Sequence, residues 1–283
     1  PVFTPIAEGP FTMSDLSSAP AGTPSRRLIT LCPSNVEMVH ALGCFDRVIA
    51  CDVSSDYPPG IEDVERLGQD LAPDLARIEE LRPDLVVSSL TVPGMERVVT
   101  GLAARGVPQI VLAPKSFSDV LDDARRLGAA LGVAERGASL VQQLENERAE
   151  LERSHAGRAP VRVYLEWWPK PMFTPGRDCY SNELIALAGG VNVFRDRPAA
   201  SVEITPADVV AAQPDVCFVS WCGVALEKLD PGNLIRRAGL EALPAAQAGN
   251  VFPLDEAYSG RPGPRMLEAS RIMARAIDRA VRQ

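Results

Sequence analysis

The side chains best suited to chemistry in this sequence are its three tryptophans, because they stand at the ends of apolar, strand-like runs. Trp167 and Trp168 follow the run RVYLE, and Trp221 follows DVCFVS. Aromatic residues make up only 5% of the chain, so this concentration favours a function over chance. Large rigid rings bury about 150–250 Å² each and suit the face of a broad, apolar ligand. The alternative is that each tryptophan only caps a hydrophobic core. The pattern predicts stacking on a ligand without covalent chemistry.

Polar and aromatic side chains also follow the other apolar runs, in the segments CPSN, DVSSDYPP, SLTVPG and DEAYSGRPGPR. In parallel α/β sheets, ligands bind beyond the carboxyl ends of the strands. Arg261 stands in the stiff segment SGRPGPR, where its guanidinium could hold a carboxylate, amide or phosphate; the alternative is an ordinary exposed arginine. Besides the tryptophans, the predicted ligand-binding residues are Ser34, Ser54, Ser55, Asp56, Tyr57, Leu90, Tyr258 and Arg261.

Catalytic devices find little support in the sequence. Of its two histidines, His40 falls within a helical pattern and His155 ends another, so a serine or cysteine nucleophile has no suitable base at a strand end. The GxSxG, GxGxxG and GxxxxGK[ST] motifs of hydrolases, dinucleotide sites and phosphate loops are not found. We therefore expect no catalytic residues and no enzymatic activity.

A metal site is also not expected. Zinc and manganese sites favour histidine ligands, which the strand-end segments lack. Asp52, Asp56, Asp255 and Glu256 could supply oxygen ligands, but solvated loop carboxylates are the commoner explanation for such residues. The six cysteines show no CxxC spacing and fall mostly within apolar runs, which predicts inert thiols in the core.

Charge and composition narrow the class of protein. A net charge of −8 and a pI near 5.0 argue against nucleic acid as a partner. No apolar run reaches the ~18 residues of a membrane span, and no signal peptide opens the chain. Residues 1–12 resemble a cloning remnant before Met13, and residues 14–24 are rich in Ser, Ala and Pro. Residues 1–24 are therefore expected to be a tag remnant and a flexible N-terminus.

Short apolar runs alternate with helical patterns from Arg27 onward, which is typical of parallel sheets covered by helices on both faces. The second half repeats the first: ARIEELRPDLVVSSL resembles TPADVVAAQPDVCFVSW, with Pro83-Asp84 and Pro214-Asp215 each ending a helix and opening a strand. The sequence thus predicts an α/β protein of two Rossmann-like lobes with central parallel sheets.

A long helix is expected between the lobes. From Val133 to His155, leucines at 140, 144 and 151 share one helical face among charged residues. A helix of this length spans roughly 35 Å and could brace two lobes. The predicted organisation is an N-terminal lobe over residues 25–130, a backbone helix over 131–157 and a C-terminal lobe over 158–283.

These segments resemble the helical-backbone (class III) family of periplasmic binding proteins, which serve ABC importers of cobalamin, haem and siderophores, and most closely its cobalamin-binding members. The resemblance covers nearly everything from Arg27 onward. It is carried by RLITLCPSNVEMVHALG, SSDYPP, PDLARIEELRPDLVVSS, FTPGRDCYSNELIALAGGVNVF and AYSGRPGPR, in this order. The resemblance implies a corrinoid held between the lobes, with Trp167 as an aromatic contact and Arg261 as the arginine of the cleft. It also implies that aromatic contacts are replaced at Ser54, Leu67, Leu90 and Ser201, with Trp168, Trp221 and Tyr258 compensating.

The resemblance further implies docking to a membrane permease through one acidic residue on each lobe. Glu96 matches the residue of the first lobe. On the second lobe the matching position is Ala207, which leaves Asp208 and Glu203 as candidates; exposed acids otherwise serve as solubilising charge.

The combined prediction is a monomeric substrate-binding protein that captures cobalamin or a related corrinoid in the cleft between its lobes and delivers it to an ABC permease. Cobalamin is then a transported ligand, not a catalytic cofactor. The expected location is the periplasm or the extracytoplasmic membrane surface, with membrane contact only through the permease or a removed lipid anchor. Two alternatives stay open: a haem or ferric-siderophore binder, with Tyr57 or Tyr258 as axial ligand, and a cytoplasmic corrinoid-handling enzyme or sensor.

Overall fold

The computed structural model describes residues 26–282, which separate into two compact units. Unit 1 contains the described residues up to Ala113 together with Leu127–Ala134, and unit 2 contains Pro114–Arg126 and the chain from Glu135 onward. The predicted tag remnant and the Ser/Ala/Pro-rich segment lie outside the described residues. Within residues 26–282, no helix combines the length and apolar character needed to cross a bilayer.

Unit 1 is built around a parallel sheet. Its strands are β1 (Leu28–Thr30), β2 (Val48–Cys51), β3 (Glu65–Arg66), β4 (Gly68–Gln69), β5 (Ala72–Pro73), β6 (Leu85–Ser89) and β7 (Gln109–Leu112), and its helices are α1 (Pro33–Ala41), α2 (Leu75–Leu81) and α3 (Glu96–Ala104). The five-stranded sheet has the order β3-β2-β1-β6-β7 and parallel pairing throughout. Every residue of β1, β6 and β7 is buried, as expected when both faces of a sheet are covered.

Unit 2 contains a second parallel sheet. Its strands are β8 (Val161–Glu166), β9 (Trp168–Pro169), β10 (Met172–Pro175), β11 (Gly190–Asn192), β12 (Ser201–Ile204), β13 (Val216–Val219) and β14 (Val251–Pro253). Its later helices are α6 (Ser181–Leu187), α7 (Pro206–Ala212), α8 (Gly232–Ile235), α9 (Pro244–Gln247), α10 (Glu256–Ser259) and α11 (Met266–Val281). The parallel order is β11-β8-β13-β14. The predicted α/β class with parallel sheets is confirmed.

Two antiparallel pieces were not predicted from the sequence. In unit 2, β12, β10 and β9 form a three-stranded antiparallel sheet, which places Trp168 opposite Phe173. In unit 1, β4 and β5 form a small antiparallel hairpin. Both consist of strands of two to four residues, which are too short to show a clear alternation in sequence.

Two long helices connect the parallel sheets along the chain. α4 (Phe117–Ala130) starts in unit 2 and ends in unit 1, and α5 (Ala134–His155) belongs to unit 2 after its first residue. The long helix predicted from Val133 to His155 is thus confirmed as α5, and its leucines at 140, 144 and 151 are buried. A bracing role for this helix stays a prediction.

The predicted internal repeat is visible in backbone detail. α2 and α7 both end at a residue in the left-handed conformation, Arg82 at φ 47° and Gln213 at φ 44°. A proline and an aspartate follow each, and both aspartates accept hydrogen bonds from the start of a neighbouring segment. Asp84 Oδ2 accepts from Arg27 N at 2.9 Å, and Asp215 Oδ2 accepts from Arg162 N at 2.9 Å. Asp84 and Asp215 therefore play equivalent parts: each holds the backbone at the start of a central strand of its unit.

Replacing Asp84 or Asp215 by alanine is expected to lower the free energy of unfolding by about 1 kcal/mol, because a charge-assisted hydrogen bond to backbone N–H is lost. Urea denaturation measures the change. Asp84→Asn and Asp215→Asn keep an acceptor oxygen and are the matched controls, so they should lose less. Equal losses in the Ala and Asn variants would contradict this account.

Candidate ligand-binding site

Strand order identifies the edge of each sheet where a ligand would bind. In unit 1 the chain runs outward from β1 to β2 and β3 and then returns to the other side of β1 with β6 and β7. In unit 2, β11 lies on one side of β8, and β13 and β14 lie on the other. Loops that follow adjacent strands at such a reversal diverge and leave a crevice. In unit 2 these are the loops after β8 and β13, which carry Trp167 and Trp221, and Trp168 follows as the first residue of β9.

The tryptophan-bearing loops of unit 2 are joined by backbone hydrogen bonds. Glu166 lies opposite Val219 in the parallel register of β8 and β13. Beyond that pair, Ser220 N donates to Glu166 O at 2.9 Å and Cys222 N donates to Trp167 O at 3.3 Å. The structure therefore brings the two loops, and with them Trp167 and Trp221, to one edge of the sheet.

The three indoles differ in exposure. Trp168 is 43% exposed, and its Nε1 donates to Lys170 O at 3.1 Å. Trp167 and Trp221 are partly buried, and Trp221 packs against the core of unit 2. The Nε1 atom of Trp167 is buried and has no hydrogen-bond partner among the described residues. None of the three is wholly enclosed in the core, which is compatible with the predicted stacking role.

A buried carboxylate accepts a hydrogen bond from one of these indoles, that of Trp221. Glu166, the last residue of β8, is 0% exposed. Its Oε1 accepts from Trp221 Nε1 at 2.9 Å and from Arg237 Nη2 at 2.8 Å. Its Oε2 accepts from Tyr164 Oη at 2.8 Å and from Arg237 Nη1. Burial, with Glu166 adding to it, raises the pKa of Tyr164 well above its ordinary value, so the phenol stays a hydrogen-bond donor.

The loop after β14 joins the same edge of unit 2. Ser259 Oγ lies 2.5 Å from Ser220 Oγ, and Ser259 O accepts from Tyr180 Oη at 2.9 Å. Tyr258 lies under the guanidinium of Arg265, 4.7 Å from its ring centroid. Arg261 has a side chain only 10% exposed and lies 3.7 Å from Glu256. An exposed, solvated Arg261, the alternative from sequence, is thus contradicted.

The corresponding edge of unit 1 is organised by Asp52, which follows β2 and is fully buried. Its carboxylate accepts from Cys32 N at 2.8 Å, Ser54 N at 2.8 Å and Ser55 Oγ at 2.8 Å. Burial raises the pKa of Asp52, and these hydrogen bonds oppose the rise. Cys32, with a positive φ of 89°, is held where β1 turns into α1. Asp52 therefore ties the loops after β1 and β2 together.

The predicted ligand residues of unit 1 fall into two groups. Ser34, at the start of α1, and Ser55 are buried, and they hydrogen-bond to Cys32 Sγ at 3.4 Å and to Asp52 respectively. The structure gives these two a part in shaping the loops, and ligand contact by them stays a prediction. Ser54 and Asp56 are exposed, whereas Tyr57 and Leu90 are partly buried.

Tyr57 makes an aromatic contact that the sequence did not indicate. Its ring meets that of His40 edge-to-face at a centroid distance of 5.3 Å. His40 lies in α1, as the helical pattern predicts, and yet it helps to orient a residue of a strand-end loop.

The acidic candidates for a metal site have other partners. The Asp52 carboxylate accepts the three hydrogen bonds described above. Asp255 caps α10 by accepting from Ala257 N at 2.9 Å, and Glu256 pairs with Arg261. Across residues 26–282, no group of three or more His, Cys, Asp or Glu side chains is arranged to hold a metal ion.

Five of the six cysteines are buried, as predicted, whereas Cys222 is exposed. Burial raises the pKa of the Cys51 thiol to about 11 and that of Cys217 to about 12, so both stay protonated at neutral pH. The prediction of a core thiol is wrong for Cys222, because its strand has already ended at Val219.

The candidate docking acids occupy helix starts and an edge strand. Glu96 is exposed in the first turn of α3, where Oε2 accepts from Gly94 N at 2.8 Å. Asp208 forms a capping box with Thr205 at the start of α7 and pairs with Arg197 at 3.2 Å; the hydrogen bonds from Thr205 lower its pKa. Glu203 is exposed in β12. The acids at positions 96 and 203 are thus the more accessible of the three.

Glu166, Tyr164 and Arg237 were missed as site residues. Glu166 stood next to Trp167 in the sequence, and a carboxylate that ends an apolar strand was the available signal. The sequence around Arg237 gave no signal of a role in the site, because Arg237 lies 71 residues after Glu166.

Comparison with known proteins identifies the family of this chain and structures of similar fold. A family model described as periplasmic binding protein matches residues 28–258. A vitamin B12-binding protein of Salmonella choleraesuis (strain SC-B67) is 29% identical over 253 residues, which cover 89% of this chain and 90% of the relative. The crystal structure of the periplasmic vitamin B12 binding protein of Vibrio cholerae matches with a TM-score of 0.78 at 26% identity, covering 92% of this chain and 99% of the other. The apo periplasmic heme-binding protein of Roseiflexus sp. RS-1 matches with a TM-score of 0.79 at 29% identity, covering 90% and 99%.

Proposed function

The chain belongs to the periplasmic binding protein family, and we propose that it captures cobalamin or a related corrinoid and delivers it to the permease of an ABC importer. The resemblance inferred from the sequence motifs is confirmed at the level of the family. The relatives named above are binding proteins, and this chain acts by non-covalent capture.

One observation carries the proposal: the loops after β8 and β13 bring Trp167 and Trp221 together at the strand reversal of a parallel sheet, with Trp168 exposed beside them. Indole faces suit a broad ligand with a large apolar face, and a corrin ring offers one. The guanidinium of Arg261, beside Glu256 in the segment after β14, is the proposed polar partner for the amides at the rim of such a ring.

The names of the relatives support the same ligand. Both the Salmonella relative and the Vibrio structure are vitamin B12 binding proteins, and they match nearly the whole of this chain. Residues of unit 1, among them Ser54, Asp56, Tyr57 and Leu90, are proposed as further contacts from the sequence resemblance.

Haem is the second candidate ligand, because the Roseiflexus haem-binding structure matches this chain at similar identity. Haem iron would take an axial ligand, and the Tyr258 hydroxyl of the loop after β14 is the candidate in unit 2.

Delivery requires contact with a permease. We propose Glu96 for this contact on unit 1, and Glu203 or Asp208 on unit 2. The Asp208 carboxylate already accepts a hydrogen bond from Thr205 N at the start of α7. The match to the periplasmic binding protein family supports the periplasm as the proposed location of this step.

Titration calorimetry of the purified chain with cyanocobalamin, hemin and a ferric hydroxamate siderophore tests the proposal. We expect saturable one-to-one binding of cyanocobalamin and weaker or no binding of the other two. Absorption spectra separate the two main candidates, because axial ligation shifts the haem bands whereas a stacked corrinoid keeps its own spectrum. Binding of hemin with shifted bands, and no heat with cyanocobalamin, would replace the corrinoid by haem.

A further inference from the structure

Glu166 is a buried carboxylate that the capture of a ligand does not itself require. Each of its oxygens accepts two hydrogen bonds: Oε1 from Trp221 and Arg237, and Oε2 from Tyr164 and Arg237. Its side chain is 0% exposed and that of Arg237 is 14% exposed. The carboxylate is therefore fully satisfied without any ligand.

Stability alone does not account for such a pair. Removing two charges from water is costly, and apolar residues of similar volume often replace a buried ion pair with no loss of stability. A bidentate arginine–carboxylate pair does, however, fix the orientation of the carboxylate, because two Arg237 N–H groups and both Glu166 oxygens must lie in one plane. The remaining lone pair on Oε1 then points at one place, which the indole N–H of Trp221 occupies.

We propose that Glu166, held by Arg237, is a positioning residue that sets the orientation of the Trp221 indole, and thereby the specificity of the tryptophan-bearing edge for a broad ring. The inference rests on the proposed function. The backbone of Glu166 and of its neighbour also joins the two loops. The carbonyl oxygen of Glu166 accepts from Ser220 N, and the carbonyl oxygen of Trp167 accepts from Cys222 N. The Trp221 indole is thus held by Glu166, and its loop is tied to the loop that carries Trp167, before a ligand arrives, which lowers the entropy lost on binding.

The first test compares two neighbouring arginines. Arg236 and Arg237 each form an ion pair, but the Arg236 side chain is 64% exposed in its pair with Asp230. Arg237→Met is expected to weaken cyanocobalamin binding about tenfold or more, because Glu166 loses the partner that fixes it. Arg236→Met should leave the affinity as it is.

Fluorescence reads the indole directly and needs no ligand. Trp167→Phe and Trp168→Phe together leave Trp221 as the single tryptophan of the chain. In this background, Arg237→Met should move the Trp221 emission to longer wavelength and increase its quenching by acrylamide, and Arg236→Met should do neither. A lower melting temperature in Arg237→Met with unchanged Trp221 emission and unchanged affinity would show a purely structural pair and overturn the proposal.

A second comparison decides the matter if Arg237→Met fails to fold. Glu166→Gln with Arg237→Met removes both charges but keeps an oxygen for Trp221 and an amide for the Tyr164 hydroxyl. Tyr164→Phe with Glu166→Leu and Arg237→Met removes all of these polar groups together, so that apart from the indole N–H none is left buried without a partner. The Gln variant should bind cyanocobalamin about tenfold more tightly than the Leu variant and show the more protected Trp221. Equal affinity and equal emission would overturn the proposal.

The two hypotheses fail separately. If the unaltered chain does not bind cyanocobalamin, the proposed ligand is wrong, while the ligand-free emission of Trp221 still decides whether Glu166 positions it.

Discussion

Replacing Trp167 and Trp168 together by alanine is expected to weaken cyanocobalamin binding by about 2 kcal/mol or more, roughly thirtyfold. Both indoles stand at the reversal of strand order in unit 2, where Trp167 is partly buried and Trp168 is 43% exposed, so a ligand would bury them further. Their backbone hydrogen bonds, Trp167 N to Phe173 O and Cys222 N to Trp167 O, do not depend on the side chains. The loss should therefore appear in calorimetric affinity more than in stability.

Two controls accompany the double variant. Val210, 38% exposed in α7, is an apolar side chain outside the strand-end loops, and Val210→Ala should leave the affinity unchanged. Trp167→Phe with Trp168→Phe keeps most of the stacking surface and should retain more affinity than the alanine pair. Wild-type affinity in the alanine variant would remove both tryptophans from the site.

The second large effect concerns pH and the buried carboxyl of Asp123 in α4. Burial raises its pKa from 3.8 to about 6, although the nearby Arg126 opposes the rise and Asp119 and Asp122 add to it. Between about pH 4 and pH 6 the unfolded chain has lost this proton while the folded chain still holds it. The contribution of Asp123 to the free energy of unfolding is therefore greatest below pH 4 and falls as the pH rises through 6, by on the order of 2 kcal/mol.

Asp123→Asn isolates this contribution, because the amide does not titrate. We expect the free energy of unfolding of Asp123→Asn, measured relative to wild type, to increase by on the order of 2 kcal/mol between pH 4 and pH 7. Asp122 is the matched control: it pairs with Arg125 at 2.8 Å, as Asp123 pairs with Arg126 at 2.8 Å, but its side chain is 63% exposed against 6% for Asp123. Asp122→Asn keeps the buried Asp123 carboxyl and should therefore still lose stability between pH 4 and pH 7, as wild type does. Parallel pH curves for wild type and Asp123→Asn would refute the assignment.

Local sequence patterns were sufficient wherever a feature depends on neighbouring residues. The helix from 134 to 155 was predictable from the spacing of its leucines, because a helix buries one face at every third or fourth residue. The repeated helix ends at Pro83 and Pro214 were predictable because proline stops a helix, and the left-handed residues before them confirm that the two units share a plan. The positions of the tryptophans at strand ends followed from the apolar runs before them.

Patterns were less informative about burial in loops. Ser34, at the start of α1, and Ser55 were predicted to contact a ligand; the structure shows both buried and hydrogen-bonded to neighbouring residues, and ligand contact by them stays a prediction. Arg261 is more enclosed than an ordinary loop arginine, because Glu256 lies beside it. A loop sequence does not reveal which of its polar groups satisfy one another and which remain for a ligand.

The sequence by itself determined the α/β class, the paired plan of the two units, the family and the presence of indoles at strand ends. Each of these features depends on residue periodicity, on turn-forming residues or on the order of short motifs, which can all be read along the chain. Only the tertiary structure decided which strands are neighbours, that the loops of Trp167 and Trp221 meet, and that Glu166 is held by Arg237. The physical reason is that a buried carboxylate takes whichever donors the fold brings to it, and chain segments far apart in sequence become neighbours only when the sheet assembles.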